Sequence, residues 1–486
     1  MDTPAAPAAP APAAPGQPSA KLVRVASIAL VAMAGVFLFE AALARYQLLP
    51  RLVKGSYFVV GVVLLAGLRL PRSARVSAVI TLLPVVVGIF AVSAVLEAGQ
   101  PRDGTVAASH GREFDTRTRS EVIDGFHSQG AEAYPSVGLK ALMRGAEIGR
   151  RVSGPEALMP HIEGVLTAPL GGIANVTTVL CNESGTYAIY ESDEHGFSNP
   201  RGTWQSPTLD LAALGDSFTQ GACVPAERSI PALLRERYPA TLNLGISGDG
   251  PLAELATLTE YLPPFRPKIV LWFYFDNDLP DLSVEKTSPL LMRYLEEGFT
   301  QGLLAKQGPI DAAIKKTVRP MLLHSRGWPA SLDKMGLSRA GSPHWLQDLV
   351  MNEHHSSAAA VLRLDRIGAA LEAQSTPAPA VPDLPLFQTI LEKARDRVAA
   401  WGGELRFIYL PDLPYLLGRP GLKEHPLRKG VLDAVSAAHL PLLDLHPVFA
   451  ALPSIKDVMW HAESHLNEEG YKIVTARVLA DLDRKP

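Results

Sequence analysis

The sequence predicts an α/β domain built on a parallel sheet and preceded by membrane-spanning helices. Apolar residues make up 47% of the 486-residue chain, and the apolar excess lies near the N-terminus. From about residue 208, short apolar runs alternate with helical patterns, which is typical of parallel strands covered by helices on both faces. Polar or glycine residues follow three of these runs directly, which predicts a ligand site where the strands end.

The first 22 residues are predicted to form a disordered tail. Residues 1–20 are mostly Ala and Pro, a composition that buries too little apolar surface to order the chain. The tail lacks the charged start and the short apolar core of a signal peptide.

Residues 23–99 are predicted to hold about three transmembrane helices. The apolar segments are residues 25–49, 55–68 and 77–98. With three spans, Lys21, Arg24 and the basic residues before the third segment would be cytoplasmic, although basic residues between the first two segments oppose this. Three spans place the rest of the chain outside the cytoplasm, and two place it inside. We expect the outside location, with the lipid bilayer as a partner.

Composition excludes some function classes. The net charge of −3 and the lack of a basic stripe with interleaved aromatic residues argue against a nucleic-acid partner. Two cysteines are too few for a disulfide scaffold or a zinc site. Cys181 and Cys223 allow one bridge or two separate thiols. The sequence also lacks HExxH and Cys/His ligand spacing, so we expect no metal.

The remainder divides into a mixed segment and the α/β domain. Residues 100–207 show short β-like stretches between turn residues. Residues 208–486 contain five apolar runs that predict five parallel strands. These runs are residues 208–214, 240–247, 268–275, 404–410 and 440–449. A helical insertion of about residues 283–385 either packs on the sheet or forms a lid or partner-binding surface over the strand ends.

Residues suited to nucleophilic catalysis follow the first three strands. Ser217, Gly248 and Asn277 each come just after a strand, so they should meet at one edge of the sheet. A serine becomes a nucleophile when a histidine takes its proton. His465 precedes the last helix on a predicted loop and is the candidate base. The alternatives are a simple strand-to-helix turn at Ser217, a tight turn at Gly248, a helix cap at Asn277 and a surface histidine.

Four short blocks resemble those of the SGNH/GDSL hydrolase family. They are "GDSFTQG", "NLGISGDG", "FDND" and "SHLNEEGY", and they occur in the family's order across residues 208–482. The resemblance implies a flavodoxin-like three-layer α/β/α fold without a cofactor. It makes Ser217 the nucleophile and His465 the base, with the Ser217 and Gly248 N–H groups and the Asn277 amide as the oxyanion hole. No GxSxG elbow of the α/β-hydrolase type occurs.

The chain departs from the family pattern at two places. The family has Asp three residues before the base, where this chain has Ala462. We interpret Glu463 as the acid that orients His465, with Asp457 as the alternative. Asp276 replaces the glycine before Asn277, so Asp276 and the Asp216 beside the nucleophile are near-site acids.

The segment before the nucleophile strand is similar to that of membrane-anchored bacterial SGNH proteins. That group is associated with cell-surface polysaccharide modification, which implies a bacterial inner-membrane esterase with a periplasmic catalytic domain. Its substrate would be an acyl ester, foremost the O-acetyl ester of a cell-surface carbohydrate, and other polysaccharide-assembly membrane proteins would be its partners. The alternatives are an O-acyltransferase using the same site and a non-catalytic scaffold subunit. A Cys181–Cys223 bridge would fasten this segment to the site.

Overall fold

The computed structural model describes most of the chain. The described residues are 18–43, 51–98, 113–115, 117, 119–144, 156, 158–206, 208–324, 383–417, 424–460 and 464–484. The chain divides into two compact units, one formed by Met1–Gln100 and Ser331–Ser375 and the other by Pro101–Ala330 and Thr376–Pro486.

The first unit contains three apolar helices, namely α1 (Ala20–Leu43), α2 (Arg51–Ala66) and α3 (Arg72–Ala98). Leu30, Ala34 and Phe37 of α1 pack around Leu64 of α2. Among the described residues one stretch, Arg72–Val95, is long and apolar enough to cross a membrane, with a mean hydropathy of 2.6. A single such helix is weak evidence of membrane insertion, so the three-span arrangement stays a prediction.

The second unit begins with short elements that precede the main sheet. They are α4 (Arg119–Ser128), β1 (Ala133–Pro135), α5 (Leu139–Arg144), β2 (His161–Ile162), β3 (Val165–Leu166), β4 (Thr177–Val179) and β5 (Ile189–Glu191). Strand β4 lies between β1, to which it is parallel, and β5, to which it is antiparallel. Buried Asp193 accepts hydrogen bonds from Trp204 Nε1 (2.7 Å) and Asn199 Nδ2 (2.8 Å). Asn199 also donates to the Asn243 carbonyl (2.9 Å), which joins this region to the main sheet.

The main sheet has five parallel strands with helices between them. The strands are β6 (Leu211–Leu214), β7 (Thr241–Asn243), β8 (Ile269–Tyr274), β9 (Glu404–Tyr409) and β10 (Leu442–Asp444). The helices are α6 (Ser217–Gln220), α7 (Ile230–Arg235), α8 (Pro251–Tyr261), α9 (Asp278–Glu285), α10 (Pro289–Met292), α11 (Gln307–His324), α12 (Leu384–Ala400), α13 (Leu413–Leu416), α14 (Arg428–Ala437), α15 (His446–Ala450) and α16 (Glu468–Leu482).

The strand order is β7-β6-β8-β9-β10, and all pairs in it are parallel. This is the flavodoxin-like order 2-1-3-4-5. It confirms the predicted five-stranded parallel sheet. The direction in which successive strands are added reverses between β6 and β8, which are neighbours in the sheet and are its first and third strands along the chain. In such folds, ligands bind at this switch point.

Alternate residues of the strands supply two separate cores. Ala212 and Leu214 of β6 lie with Trp272 in the core on one face of the sheet. Ala213 of β6 lies with Phe273 in the core on the other face. Successive side chains of a strand point to opposite faces, so a fully apolar run such as β6 is buried on both sides. This two-sided burial fixes where each strand ends and therefore where the residues after it lie.

The described part of the insertion packs into the body of this unit. Leu291, Ile310 and Val318 belong to the core that contains Trp272. Buried Glu260 accepts hydrogen bonds from Tyr294 Oη (2.6 Å), among others. The packed arrangement therefore holds as far as Val318. The lid hypothesis concerns residues 325–382, which lie outside the described residues.

Gly215 should tolerate no side chain. Its φ is +149°, and a Cβ there would overlap Thr219 Oγ1 and lie 2.8 Å from the Phe273 carbonyl oxygen. We expect Gly215→Ala to lower the free energy of unfolding by about 1–3 kcal/mol through backbone strain, measured by urea denaturation. Gly308→Ala is the control, since no atom lies within 4 Å of its added Cβ. Equal stability of the two variants would contradict the prediction.

Candidate active site

Ser217 is held on a sharp turn between β6 and α6. The turn places Asp216 at the N-cap of α6, where its Oδ1 accepts a hydrogen bond from the Phe218 N–H (2.9 Å). The helix ends at Gly221 in the left-handed conformation, with φ +92°. Ser217 is the first residue of this single helical turn and is buried, with 9% of its surface exposed.

His465 lies against this serine. Its Nε2 is 2.9 Å from Ser217 Oγ, and its ring packs on Phe218 with 4.9 Å between ring centroids. The following residues fix its loop, because Leu466 forms a β-bridge with Met459. Asn467 then caps α16 by accepting hydrogen bonds from its first turn. The structure thus brings together two residues that are 248 positions apart.

The acid that orients His465 is Glu183. Its Oε1 lies 2.9 Å from His465 Nδ1, and its Oε2 accepts a hydrogen bond from the His465 backbone N–H (2.8 Å). Glu463, the acid predicted from the sequence, lies outside the described residues. Asp457, the alternative, is exposed, and its backbone carbonyl accepts from Asn467 Nδ2 (2.9 Å). The position against His465 Nδ1 that was predicted for Glu463 is therefore occupied by a residue from the segment before β6.

Sequence reasoning missed Glu183 because it searched for the acid next to the base. Glu183 is 282 residues from His465, and a triad is defined by geometry rather than by position along the chain. The spacing of the two cysteines nonetheless pointed to Glu183. Glu183 is two residues after Cys181, and Cys223 is six residues after Ser217, so a bridge between the cysteines would have placed this glutamate near the nucleophile.

The hydrogen bonds around His465 define the state in which it can act as a base. When Glu183 accepts a hydrogen bond from the Nδ1–H group of His465, Nε2 is the unprotonated nitrogen and faces Ser217 Oγ as an acceptor. Burial opposes the charged ring, but the hydrogen bond and charge of Glu183, with the charge of Asp216, raise the pKa of His465 above its ordinary 6.5. The pair is thus arranged to stabilise an imidazolium, the species formed when serine gives up its proton.

Asp216 places the Asn277 amide beside the nucleophile. Its Oδ2 accepts a hydrogen bond from Asn277 Nδ2 (3.1 Å) and lies 3.2 Å from Ser217 Oγ. Two potential donors therefore share one carboxylate oxygen. Asn277 is the N-cap residue of α9, but its side chain makes no capping bond to the helix and bonds to Asp216 instead.

Gly248 lies in a turn that is bonded to the nucleophile region. Its φ of +81° and the hydrogen bond from the Asp249 N–H to the Ile246 carbonyl (3.1 Å) are those of a type II turn. The Ile246 N–H donates to the Gly215 carbonyl (3.2 Å). The Ser247 N–H donates to Gln220 Oε1 (2.9 Å). Both ends of the turn that carries Ser217 are thus tied to the turn that carries Gly248.

Asp276 joins two strand ends, and its hydrogen bonds among the described residues go to Tyr409 and Asp412 rather than to Ser217. It is buried, and Tyr409 Oη lies 3.0 and 2.8 Å from its two carboxylate oxygens. The Asp412 N–H also donates to it (3.2 Å). Burial raises the pKa of Asp276 to about 7, although the bonds from Tyr409 and Asp412 favour the ionised form. The side chain thus joins the loop after β8 to the end of β9.

The two cysteines form a disulfide beside the triad. Cys181 and Cys223 are joined, with 5.3 Å between their Cα atoms, and Cys223 Sγ lies 3.9 Å from His465 Nδ1. Donor atoms of Glu183, Cys223 and His465 lie within 4.8 Å of one another, a spacing that suits a metal ion. Because Cys223 is bonded to Cys181 and His465 Nδ1 to Glu183, these residues do not fit a metal site.

No protein-family model matches the chain, and no curated protein matches it significantly. Several solved structures are similar to part of it. A lipase/acylhydrolase from Enterococcus faecalis is 13% identical, with a TM-score of 0.29, and the match covers 57% of this chain and 95% of that protein. A member of the lipolytic G-D-S-L family from Veillonella parvula is 12% identical, with a TM-score of 0.30 and coverage of 57% and 100%.

A two-domain esterase active on acetylated mannans is 12% identical, with a TM-score of 0.27, and the match covers 58% of this chain and 50% of that protein. Identities and scores this low carry no inference about activity. The inference about activity rests instead on the contacts around Ser217.

The pKa of His465 should depend on Glu183. In the wild-type protein we expect it above 6.5, because the carboxylate stabilises the charged ring. In Glu183→Gln the charge is lost while burial remains, so the pKa should fall. NMR titration of the ring, assigned with His465→Gln, measures both values.

Asp457→Asn is the matched control, since this exposed carboxylate should leave the pKa unchanged. The raised pKa also predicts a pH dependence of stability. The Glu183–His465 pair stabilises the fold fully below pH 6.5 and progressively less as the pH rises through the folded-state pKa. A pKa that is unaltered in Glu183→Gln would refute the assignment of Glu183.

Proposed function

We propose that this chain is a serine esterase whose triad is Ser217, His465 and Glu183. The observation that carries the proposal is the chain of two 2.9 Å contacts, from Ser217 Oγ to His465 Nε2 and from His465 Nδ1 to Glu183 Oε1. This order of hydroxyl, imidazole and carboxylate is the arrangement that activates serine for acyl transfer.

The reaction follows from these positions. Ser217 Oγ attacks the acyl carbon while His465 Nε2 takes its proton, and Glu183 stabilises the resulting imidazolium. The tetrahedral intermediate collapses, His465 returns the proton to the departing alcohol, and the acyl group stays on Ser217. Water, deprotonated by the same imidazole, then releases the acid and regenerates the serine.

The oxyanion would be bound by the Ser217 and Gly248 N–H groups and by the Asn277 amide. The bond from Asn277 Nδ2 to Asp216 (3.1 Å) supports this role, because it fixes the amide next to the attacking atom before substrate arrives. Donors that are fixed in advance cost no reorganisation during the reaction.

The proposed substrate is an O-acyl ester, foremost an O-acetyl ester of a cell-surface carbohydrate. The same acyl-enzyme serves an O-acyltransferase if a sugar hydroxyl replaces water. The scaffold alternative rested on Ala462 standing where an acid was expected. The contact between Glu183 and His465 Nδ1 (2.9 Å) supports the esterase instead, because it supplies an acid from elsewhere in the chain.

Substitutions in the triad and the oxyanion hole test the proposal. With p-nitrophenyl acetate, we expect Ser217→Ala to abolish turnover and fluorophosphonate labelling. Asn277→Ala should lower kcat by about 10²–10³-fold, the usual effect of losing one oxyanion donor. The rise of kcat/KM with pH should inflect above 6.5, since the neutral form of His465 is the base and its pKa is raised.

Ser206→Ala, at a serine whose hydroxyl donates to the Thr208 carbonyl (2.8 Å), controls for the loss of a hydroxyl. Turnover that survives in Ser217→Ala would overturn the esterase proposal. Adding an oligosaccharide acceptor separates the two reactions, because acylated sugar marks a transferase and free acid alone marks a hydrolase.

We also propose that the catalytic unit lies outside the cytoplasm of a bacterium, anchored in its inner membrane. The disulfide supports this, because such bonds persist in oxidising compartments. A reporter active only in the periplasm, fused after residue 100, should be active, and a cytoplasmic reporter at the same site should be silent. The reverse pattern would overturn the proposed location.

A further inference from the structure

Glu183 lies in a loop between the two antiparallel strands β4 and β5. Backbone hydrogen bonds close the base of this hairpin, from Leu180 to Ala188 (2.9 Å) and from Ala188 to Cys181 (2.8 Å). Beyond that base, the loop tip bonds to Asp115, whose N–H donates to the Gly185 carbonyl (2.7 Å). The bonds within the hairpin therefore set the shape of the loop, but they do not fix the position of Glu183 against His465.

The disulfide supplies a covalent link from this loop to the nucleophile. Cys181 is two residues before Glu183. Its partner Cys223 lies three residues after the end of α6, next to Ala222. The Ala222 N–H donates to the Ser217 carbonyl (2.9 Å), and the Ala222 carbonyl accepts from Tyr471 Oη (3.3 Å). Cys223 itself is buried, with 1% of its surface exposed, so it is a rigid anchor.

These links form a closed ring around the site. Starting at Ser217, the chain runs to Cys223, crosses the disulfide to Cys181, reaches Glu183, and returns through His465 to Ser217 by the two triad contacts. The disulfide is the only bond between two side chains in this ring that thermal motion cannot open.

We propose that the Cys181–Cys223 disulfide is a positioning element of the triad, which holds Glu183 on His465 so that its reduction uncouples the acid from the base. The proposal rests on the proposed esterase function. A dithiol reductant forms a mixed disulfide with one sulfur and then closes on itself, which leaves two cysteine thiols and one oxidised reductant. The two cysteines are the only ones in the chain, so reduction changes a single bond.

Reduction should weaken catalysis without dismantling the fold. The hairpin bonds at Leu180 and Ala188 are backbone bonds, which reduction leaves in place. Cys223 is one member of a large apolar core, and the other side chains of that core stay packed when the S–S bond opens. A carboxylate displaced by about 1 Å, however, no longer holds the imidazole in its productive orientation, and such shifts cost about 10²-fold in rate. The esterase would thus become active only after the unit reaches a compartment where disulfides form.

The test is hydrolysis of p-nitrophenyl acetate by the full chain before and after reduction with dithiothreitol, with free thiols counted in parallel. We expect kcat to fall about 10²-fold as thiols appear, and the inflection of the kcat/KM profile to move to lower pH, because the Glu183 charge leaves His465. Reoxidation should restore both, and the double variant Cys181→Ala, Cys223→Ala should match the reduced enzyme.

Glu183→Gln provides the matched control. We expect its activity to be low before reduction and to fall no further on reduction, since the bridge then has no acid to position. Near-UV circular dichroism during reduction separates uncoupling from unfolding and replaces the double variant if that variant does not fold. Loss of the spectrum before loss of activity would overturn the proposal.

An unchanged kcat and pH profile in the reduced, folded enzyme would also overturn it. Failure of the underlying function looks different, because Ser217→Ala would then hydrolyse the ester as well as the oxidised wild type does.

Discussion

The contact on which the site depends is the two-point bond between Glu183 and His465. One carboxylate oxygen holds the ring at Nδ1 and the other holds the backbone of the same residue. A ring bonded only at Nδ1 could still move with its loop, and the second bond, to the backbone N–H, restrains the loop as well. The position of Nε2 against Ser217 Oγ follows from this constraint, and so does the raised pKa of the imidazole.

The sheet fixes the positions of the residues that lie next to the Glu183–His465 pair. Strands β6 and β8 are apolar on both sides and are buried between two cores, so their ends are fixed relative to each other. Ser217 and Asn277 follow these two strands, at the point where the strand order reverses. Polar bonds then tie the loops together, from Asp216 to Asn277 and from Asp276 to Tyr409. Rigid strand ends and bonded loops together preorganise the site.

The segment before the sheet is part of the proposed catalytic apparatus. It contributes Glu183 and Cys181, and its buried Asn199 donates to the backbone of β7. The α/β domain alone carries the candidate nucleophile, the candidate base and the candidate oxyanion donors. The carboxylate that bonds to His465 comes from outside that domain, whereas the sequence resemblance predicted it three residues before the base.

The sequence by itself determined the parallel sheet. A strand that is buried on both faces must be a continuous apolar run, and the alternation of such runs with helical patterns is visible in the residues. The sequence also predicted Ser217, Gly248, Asn277 and His465 as candidate site residues, since each lies just after a strand or just before a helix. The structure brings Ser217 next to His465 and bonds Asp216 to Asn277. Only the tertiary structure decided that Glu183 is the acid and that Cys181 is bonded to Cys223. Those contacts join positions 282 and 42 residues apart, and no local pattern encodes a pairing that arises when separate elements pack.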